Sequence, residues 1–506
     1  MKSGQNQLYS KKAGNYFFWI FVVIYTLLLL YTAKKINISE DETYALNTSS
    51  RNLAGVINQS YNFEFQLPGY FVLLSLWRLI SSSIFFAKLF SIASIGIASF
   101  YTYKLSNLFT GKKNSRWIIV LFLLNPFSVW ASLEIRLYAF SVLLATLCIY
   151  FFYKYVFKEN KKDLFLFLLF ALTGIYTQYF FVFLIIALAL TTIFIKGWRY
   201  FFNTCLTLVP LAILFLPNFI FIPNQLKMQT AHGKSSINLG TVSAVLHAPQ
   251  NLMLAIDYVP DPAKNRIIRF IFLAMLIGTC FYVYKNKAKM TFAFGSFKIV
   301  LAALSFLIII FSIAGFLTNI VFTSKYMVVA YPFFILLISL FNLLPPFFRS
   351  VSFGIICMYF TLLLAVFYRY PVNTYDFNSI ARYIEKIEKP NEPILMYRAN
   401  NALPFNYSYK GINKIVPLPH PVNFDSNYLV SIKDTNELRQ LLSDIKPQSG
   451  SYLMISDTTK FETTLDMHRQ MVKDFLYKNY KVTLDTLFEG NAKGKTLRIR
   501  QFELKN

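Results

Sequence analysis

The chain is a succession of apolar runs longer than a soluble core uses, separated by short loops that carry Lys and Arg. The runs fall at about 16–33, 84–105, 117–133, 137–157, 163–179, 181–196, 199–222, 266–284, 298–322, 326–344 and 349–370. A helix needs about 17–25 mostly apolar residues to cross the hydrocarbon of a bilayer, and there a helix satisfies its own backbone where an open strand does not. Charged residues make up 15% of the 506 positions, against about 25% in soluble domains. The net charge of +26 is scattered between apolar runs and is not gathered into a basic stripe. Soluble enzymes, disordered tails and nucleic-acid modules are excluded on these grounds.

Residues 1–370 carry 31 Lys and Arg against nine acids, whereas residues 371–506 carry 19 against 15. Basic residues in short loops mark the cytoplasmic side of a membrane. Here they cluster at Lys2–Lys12, Lys112-Lys113-Arg116, Lys158-Lys161-Lys162, Lys196–Arg199, Lys285-Lys287-Lys289-Lys298 and Arg349. If all of these are inside, the 84–105 run travels inward and segment 34–83 stays outside. Pro68–Ile80, which is short and contains Arg78, then lies at the surface without crossing. Tyr16–Ala33 follows Lys11 and Lys12, is long enough to span and has no convincing cleavage site, so it reads as a span and not as a signal peptide.

The fold class that follows is a polytopic α-helical membrane protein of about eleven transmembrane helices with a C-terminal extracytoplasmic α/β domain. Its expected parts are a membrane domain over 1–370, including the outer loop 34–83, and a soluble domain over 371–506. In the latter, helical patterns at about 375–389, 434–445 and 461–479 alternate with strand-like runs at Ile394–Tyr397, Tyr428–Ile432, Tyr452–Ile455, Tyr480–Leu487 and Leu497–Phe502. Gly490–Gly494 reads as a hairpin turn. The four cysteines, at 148, 205, 280 and 357, lie inside apolar runs and read as small buried hydrophobes.

The nine acids of residues 1–370 are the more informative charges. Glu159 and Asp163 sit beside lysines in an inner loop and read as solvated. The other seven fall on the outer face: Glu40, Asp41, Glu42, Glu64, Glu134, Asp257 and Asp261. The Ser39-Glu40-Asp41-Glu42 sequence has the form of a helix start, with Ser39 as N-cap and acids in the first turn. Such a helix can also aim a carboxylate at a substrate. Glu134 lies at a membrane boundary, where a carboxylate costs about 2.5–3.5 kcal/mol and usually serves a function; Arg136 is at hand to neutralise it. Carboxylates beside a membrane-level cavity suit a glycosyl or acyl transfer in which one acid deprotonates the acceptor and cations hold a leaving phosphate. Arg136, Arg78 and Lys325 are the candidate cations. Tyr138, Tyr179 and Tyr326 fit interfacial aromatics. His232 and His247 lack a zinc-binding spacing. A divalent ion on Asp41, Glu42 and Glu134 is left open, and no other cofactor is expected. A lipid or polysaccharide transporter without covalent chemistry is the alternative class, although neither repeat symmetry nor broken midplane helices are evident. A non-catalytic scaffold whose C-terminal domain binds partners is a third.

At Asp41-Glu42-Thr43-Tyr44-Ala45 the chain resembles the GT-C superfamily of integral-membrane glycosyltransferases. The pattern is nearest to bacterial members of the protein O-mannosyltransferase and aminoarabinose lipid A transferase group. Leu67-Pro68-Gly69-Tyr70 is similar to the element that opens that family's surface helix. Asn125-Pro126 with Glu134-Ile-Arg136-Leu-Tyr138 resembles its Pro-containing span ending in acid-x-Arg-x-Tyr. Thr177-Gln178-Tyr179 looks like a Thr-His-Tyr hairpin with Gln for His, and Lys325-Tyr326 with Pro332 like an Arg-Tyr element with Lys for Arg. Lys keeps the charge but not the bidentate fork. Asp376–Ile384 resembles the entry of the family's extracytoplasmic domain. The resemblance implies a glycosyltransferase that moves a sugar from a polyprenyl-phosphate donor to an extracytoplasmic acceptor (a lipid, glycan or protein) with inversion. Asp41, Glu42 and Glu134 would be catalytic, Arg136, Lys325 and Arg78 would bind the donor phosphate, and Tyr44, Tyr138, Gln178, Tyr179 and Tyr326 would line the site. The expected location is a bacterial inner membrane, with the N-terminus cytoplasmic.

Overall fold

Apolar sequence becomes helix nearly run for run in the computed structural model. It describes residues 2–110, 116–223, 225, 244–247, 251–252, 262–286, 291–318, 322–369, 375–424, 432–445, 447–457, 469–489 and 496–504. The first helices are α1 (Lys2–Lys35), α2 (Glu40–Ser49), α3 (Leu53–Asn62), α4 (Gly69–Arg78), α5 (Ile84–Thr110), α6 (Trp117–Leu124), α7 (Pro126–Leu133) and α8 (Tyr138–Lys158). They are followed by α9 (Lys161–Thr177), α10 (Phe181–Lys196), α11 (Trp198–Phe215), α12 (Pro262–Lys285), α13 (Thr291–Thr318), α14 (Tyr331–Ser339) and α15 (Pro346–Arg369). Among the described residues, six helices are long and apolar enough to cross a membrane: Tyr16–Lys35, Ile84–Phe109, Tyr138–Lys158, Trp198–Ile220, Phe297–Thr318 and Pro346–Tyr368. Phe181–Lys196, Phe270–Lys285 and Val328–Leu343 are shorter apolar helices. Within Pro68–Ile80 lies the ten-residue helix α4, Gly69–Arg78.

Two compact units divide the chain. The first holds Met1–Lys35, Ser49–Tyr61 and Phe65–Phe367; the second holds Ile36–Thr48, Asn62–Glu64 and Tyr368–Asn506.

In the first unit, the 117–133 run is not one helix. Proline disfavours helical geometry in the residue before it and brings no N–H of its own. Asn125 accordingly turns extended (φ −60°, ψ 123°), and its side chain accepts from Phe127 N at 2.9 Å, capping α7. The missing N–H of Pro126 would have bonded the carbonyl of Phe122, and the fully buried Tyr331 hydroxyl reaches that carbonyl at 3.5 Å. The same hydroxyl meets Ser128 Oγ at 2.7 Å. The 326–344 run is likewise divided, into 3-10 turns at Val328–Ala330 and Leu340–Leu343 around α14.

The expectation that Asp163 is solvated is overturned. It is 2% exposed and accepts from Lys154 Nζ at 2.8 Å, because Asn160 caps α9 and places Asp163 in its first turn. Glu159 pairs with Lys196 and stays exposed. Of the four free cysteines, Cys148 is buried and the other three are half-buried. Most of loop 223–265, including His232, Asp257 and Asp261, lies outside the described residues, as do most of Tyr428–Ile432 and the turn at 490–494.

Helices α9 and α10 form the expected hairpin, and Gly174 makes it tight. A Cβ on Gly174 would stand 2.3 Å from the buried Phe181 ring.

The C-terminal part of the second unit is a five-stranded sheet, β1 (Ile394–Tyr397), β2 (Ile415–Pro417), β3 (Ser451–Asp457), β4 (Tyr480–Glu489) and β5 (Thr496–Leu504), in the order β2-β1-β3-β5-β4. Strands β2, β1 and β3 are parallel, while β5 runs antiparallel to both β3 and β4. Helices α16 (Phe377–Ile387), α17 (Ala402–Ser408), α18 (Thr435–Ile445) and α19 (Arg469–Asn479) accompany it. Ile394 and Met396 join one apolar cluster with Phe377, Ile380 and Ile384 of α16. The alternate residues Leu395 and Tyr397 join another, with Leu438 and Leu442 of α18 and Leu476 of α19. A strand buried on both faces has this pattern. Neither α17 nor β2 is anticipated from the sequence.

Two outcomes test these readings. Gly174→Ala should lower the thermal midpoint of the detergent-solubilised protein, overpacking of this kind costing about 1–3 kcal/mol. Gly278→Ala, whose Cβ meets nothing within 4 Å, should leave it unchanged or raise it. On the sheet, burial raises the Asp485 pKa, but hydrogen bonds from Arg498 and Tyr477 and the Arg500 charge outweigh it and hold the carboxyl below its ordinary value. A depressed pKa stabilises the fold above the unfolded value of about 3.9 and loses that effect as pH falls through the folded one. The stability difference between wild type and Asp485→Asn should therefore be constant from pH 7 to about 5 and shrink below about pH 4, read by thermal unfolding.

Candidate active site

The acid-x-Arg-x-Tyr element falls where helix stops. Glu134 is extended after α7 (φ −92°, ψ 133°), and α8 begins at Tyr138. Ser91 Oγ of α5 donates to the Glu134 carbonyl at 2.7 Å, taking up an acceptor that a continuing helix would have satisfied. The turn is dense: Ile135 and Leu137 are buried and Arg136 is 8% exposed, with Glu134 half-buried beside them. A guanidinium at this depth suits a ligand that brings negative charge with it.

Lys325 reaches the same wall from the turn between α13 and α14. Its Nζ lies 5.4 Å from the centre of the Trp130 ring, within range of a cation–π contact. Trp130 itself packs against Tyr138 with ring centres 5.1 Å apart. The α9–α10 hairpin tip adds to the turn that carries Lys325. Gln178 Nε2 donates to the Tyr326 carbonyl at 3.4 Å, and Phe180 meets the Tyr326 ring edge-on at 5.4 Å. Within this unit Tyr138, at the end of the turn that holds Glu134 and Arg136, is thus linked through Trp130 to Lys325, and Gln178 is linked to the adjacent Tyr326. Tyr179 lies beside Phe215, with ring centres 6.3 Å apart.

Gly69 allows α4 to butt against the end of α9: a Cβ there would sit 2.6 Å from the Tyr176 carbonyl oxygen. Arg78, at the far end of α4, donates to Ser49 Oγ at 2.6 Å and to the Ser82 carbonyl at 3.5 Å. Tyr61 of α3 stacks on Phe221 at 3.9 Å and donates to Asn218 Oδ1 at 2.5 Å. Burial, then the neighbouring Tyr176, pushes its phenol up to about 12, so it remains a donor at neutral pH.

In the second unit, Ser39 and Glu42 form a reciprocal cap. Ser39 N donates to Glu42 Oε2 at 2.7 Å, and Glu42 N donates to Ser39 Oγ at 3.3 Å. The carboxylate of Glu40 accepts from the Tyr44 hydroxyl at 2.6 Å and from Asn400 Nδ2 at 2.7 Å, while Asn400 Nδ2 is 2.9 Å from the Tyr44 oxygen. Tyr44 is buried and packs edge-on against Phe63 at 5.1 Å. Thr48 Oγ1 donates to Glu64 at 3.1 Å. Asp41, between two acids engaged in the fold, is exposed. Of the predicted residues, Asp41, Glu42 and Tyr44 belong to the second unit and the other eight to the first.

Sequence reading missed two residues here. Asn400 follows β1, at the carboxyl end of the parallel strands where open α/β sheets place ligands. Nothing in the sequence distinguishes it from the adjacent asparagine. Lys88 is fully buried on α5, three residues before Ser91 and so on the same helix face. Its signal is present: a lone lysine near the start of an apolar run. Among the described residues, no three His, Cys, Asp or Glu side chains form a group able to hold a metal ion.

The chain is similar to two crystal structures of ArnT from Cupriavidus metallidurans. The apo form matches at 10% identity with a TM-score of 0.48, and the form bound to undecaprenyl phosphate at 10% identity with a TM-score of 0.44. Each match covers 96% of this chain and 98% of the other. No family model and no curated protein matches the sequence.

Asn400→Leu tests the anchoring of the acidic helix. It removes the amide shared by Glu40 and Tyr44, and an unsatisfied buried polar group costs about 1–3 kcal/mol. Backbone hydrogen exchange over residues 38–48 should accelerate by about tenfold or more, with exchange in α8 unchanged.

Proposed function

We propose that this protein is a membrane glycosyltransferase that moves a sugar from a polyprenyl-phosphate donor to a hydroxyl of an extracytoplasmic acceptor, with inversion. The observation that carries this reading is the wall formed at the α7–α8 turn. The nearly buried Arg136 and the half-buried Glu134 share that turn, and Lys325 is held there through Trp130 and Tyr138. The motif resemblance at Asp41-Glu42 and Glu134-x-Arg136-x-Tyr138 supports the same chemistry. The chain threads the membrane eleven times from a cytoplasmic N-terminus, and segment 34–83 and the C-terminal α/β domain face outward, in a bacterial inner membrane.

In this mechanism Asp41 accepts the proton of the acceptor hydroxyl as its oxygen attacks the anomeric carbon. The bond from that carbon to the phosphate oxygen breaks on the opposite face, which inverts the centre. Charge grows on the departing phosphate, and Arg136 and Lys325 stabilise it where fixed cations act most strongly, away from bulk water. Lys88, on the α5 face that meets Glu134, is a further cation for the same phosphate. Glu134 is the second acidic site and orients the reacting groups. Glu42 supports Asp41 by capping the helix that carries it. Arg78 holds the α4 end of the site and contributes positive charge, and Tyr44, Gln178, Tyr179 and Tyr326 line it.

Asp41→Asn is isosteric and removes the base. A positioned base contributes about 10²–10⁴-fold, so turnover of labelled polyprenyl-phosphate sugar by the purified variant should fall by at least about 100-fold at unchanged expression. Wild-type turnover in that variant would overturn the assignment. The same assay in vesicles separates transfer from transport: a transferase yields a new glycosidic product, whereas a transporter relocates intact donor.

A further inference from the structure

Helices α1, α5 and α6 form an apolar cleft of about 410 Å³ whose lining includes no residue of the α7–α8 turn. Phe18, Trp19, Tyr25 and Leu29 line it from α1, and Ile95, Gly96, Ser99 and Tyr103 from α5. Arg116 is the cation in its lining. It stands exposed at the start of α6, its guanidinium 5.2 Å from the centre of the Phe18 ring and 6.0 Å from that of Trp19. The cleft lies within the first unit throughout.

Three properties select an occupant. The volume falls in the range of about 300–1,000 Å³ that small-molecule sites use. From Phe18 to Leu29 helix α1 rises about 16 Å, close to the half-thickness of about 15 Å that one leaflet contributes to a bilayer. A chain filling the cleft is therefore one leaflet's acyl chain, shorter than a polyprenol. The third property is charge: the Arg116 cation lies against the rings of Phe18 and Trp19 at one end of the α1 lining, where a headgroup would sit. Gly96 contributes the room, since a Cβ there would meet nothing within 4 Å.

We propose that this cleft binds one anionic glycerophospholipid, its acyl chain between α1 and α5 and its phosphate against Arg116. None of its lining residues belongs to the donor-phosphate wall, and the proposal does not depend on the reaction assigned there. In the topology given above it faces the cytoplasmic leaflet.

The test is native mass spectrometry of the full-length protein in a neutral detergent, supplied with equal amounts of phosphatidylglycerol and phosphatidylcholine. Wild type should retain one phosphatidylglycerol with about fivefold preference, the size expected from one basic residue at a membrane surface. Arg116→Gln should abolish the preference, Arg116→Lys should keep it, and Gly96→Leu should fill the cleft and reduce retention of both lipids. Equal retention of the two lipids by wild type would overturn the proposal, with no variant required. So would unchanged selectivity in Arg116→Gln, unchanged retention in Gly96→Leu, or displacement of phosphatidylglycerol by polyprenyl phosphate at lower concentration than by phosphatidylglycerol itself.

Discussion

Two departures from helix, at Pro126 and at Glu134, are each met by a side chain from another helix that supplies the hydrogen bond the helix gives up. Hydrocarbon offers no water to a stranded carbonyl, so such a break persists only where the fold provides a partner. Pro126 deprives the Phe122 carbonyl of its usual donor, and the Tyr331 hydroxyl comes from a helix 209 residues away to reach it. Eight residues later the chain leaves helix again, and Ser91 donates to Glu134. Between those two repaired breaks lies α7, and its end is what brings an acid, an arginine and a tyrosine to a single turn. An uninterrupted helix would have kept Glu134 and Tyr138 on one face and turned Arg136 to the opposite side.

The same economy governs the acidic helix of the second unit. Three consecutive acids cannot all be held close together without compensation, since like charges repel. Glu42 closes the cap with Ser39, Glu40 is engaged by Tyr44 and Asn400, and Asp41 remains exposed. The two flanking acids do structural work that sets where the middle one stands. The Asp41-Glu42 pair thus stands on a first turn anchored by Ser39, Tyr44 and Asn400.

Much of this was legible in the sequence, for physical reasons that differ from element to element. Long apolar runs and the alternation of the C-terminal domain announce helices and strands because burial follows a period that can be counted. Ser39 with an acid three residues on announces its own cap. Counting apolar residues does not reveal that Asn125-Pro126 divides a run, although the dipeptide itself does. It also misjudges Asp163, where nearby lysines suggested solvent and the fold uses one of them, Lys154, to bury the carboxylate. Strand β2, three residues long, is too short to carry a period at all.

By itself, the sequence determined which segments are helical and where a carboxylate would be expensive. These are properties of single segments measured against water or hydrocarbon, so composition and spacing suffice. Tertiary structure alone decided that Lys325 lies over Trp130, that Asn400 holds Glu40 and Tyr44, that Lys88 is buried, and that Arg116 stands at the mouth of an apolar cleft. Each of these depends on segments far apart in the chain meeting in the packed fold, which no count along the sequence can register.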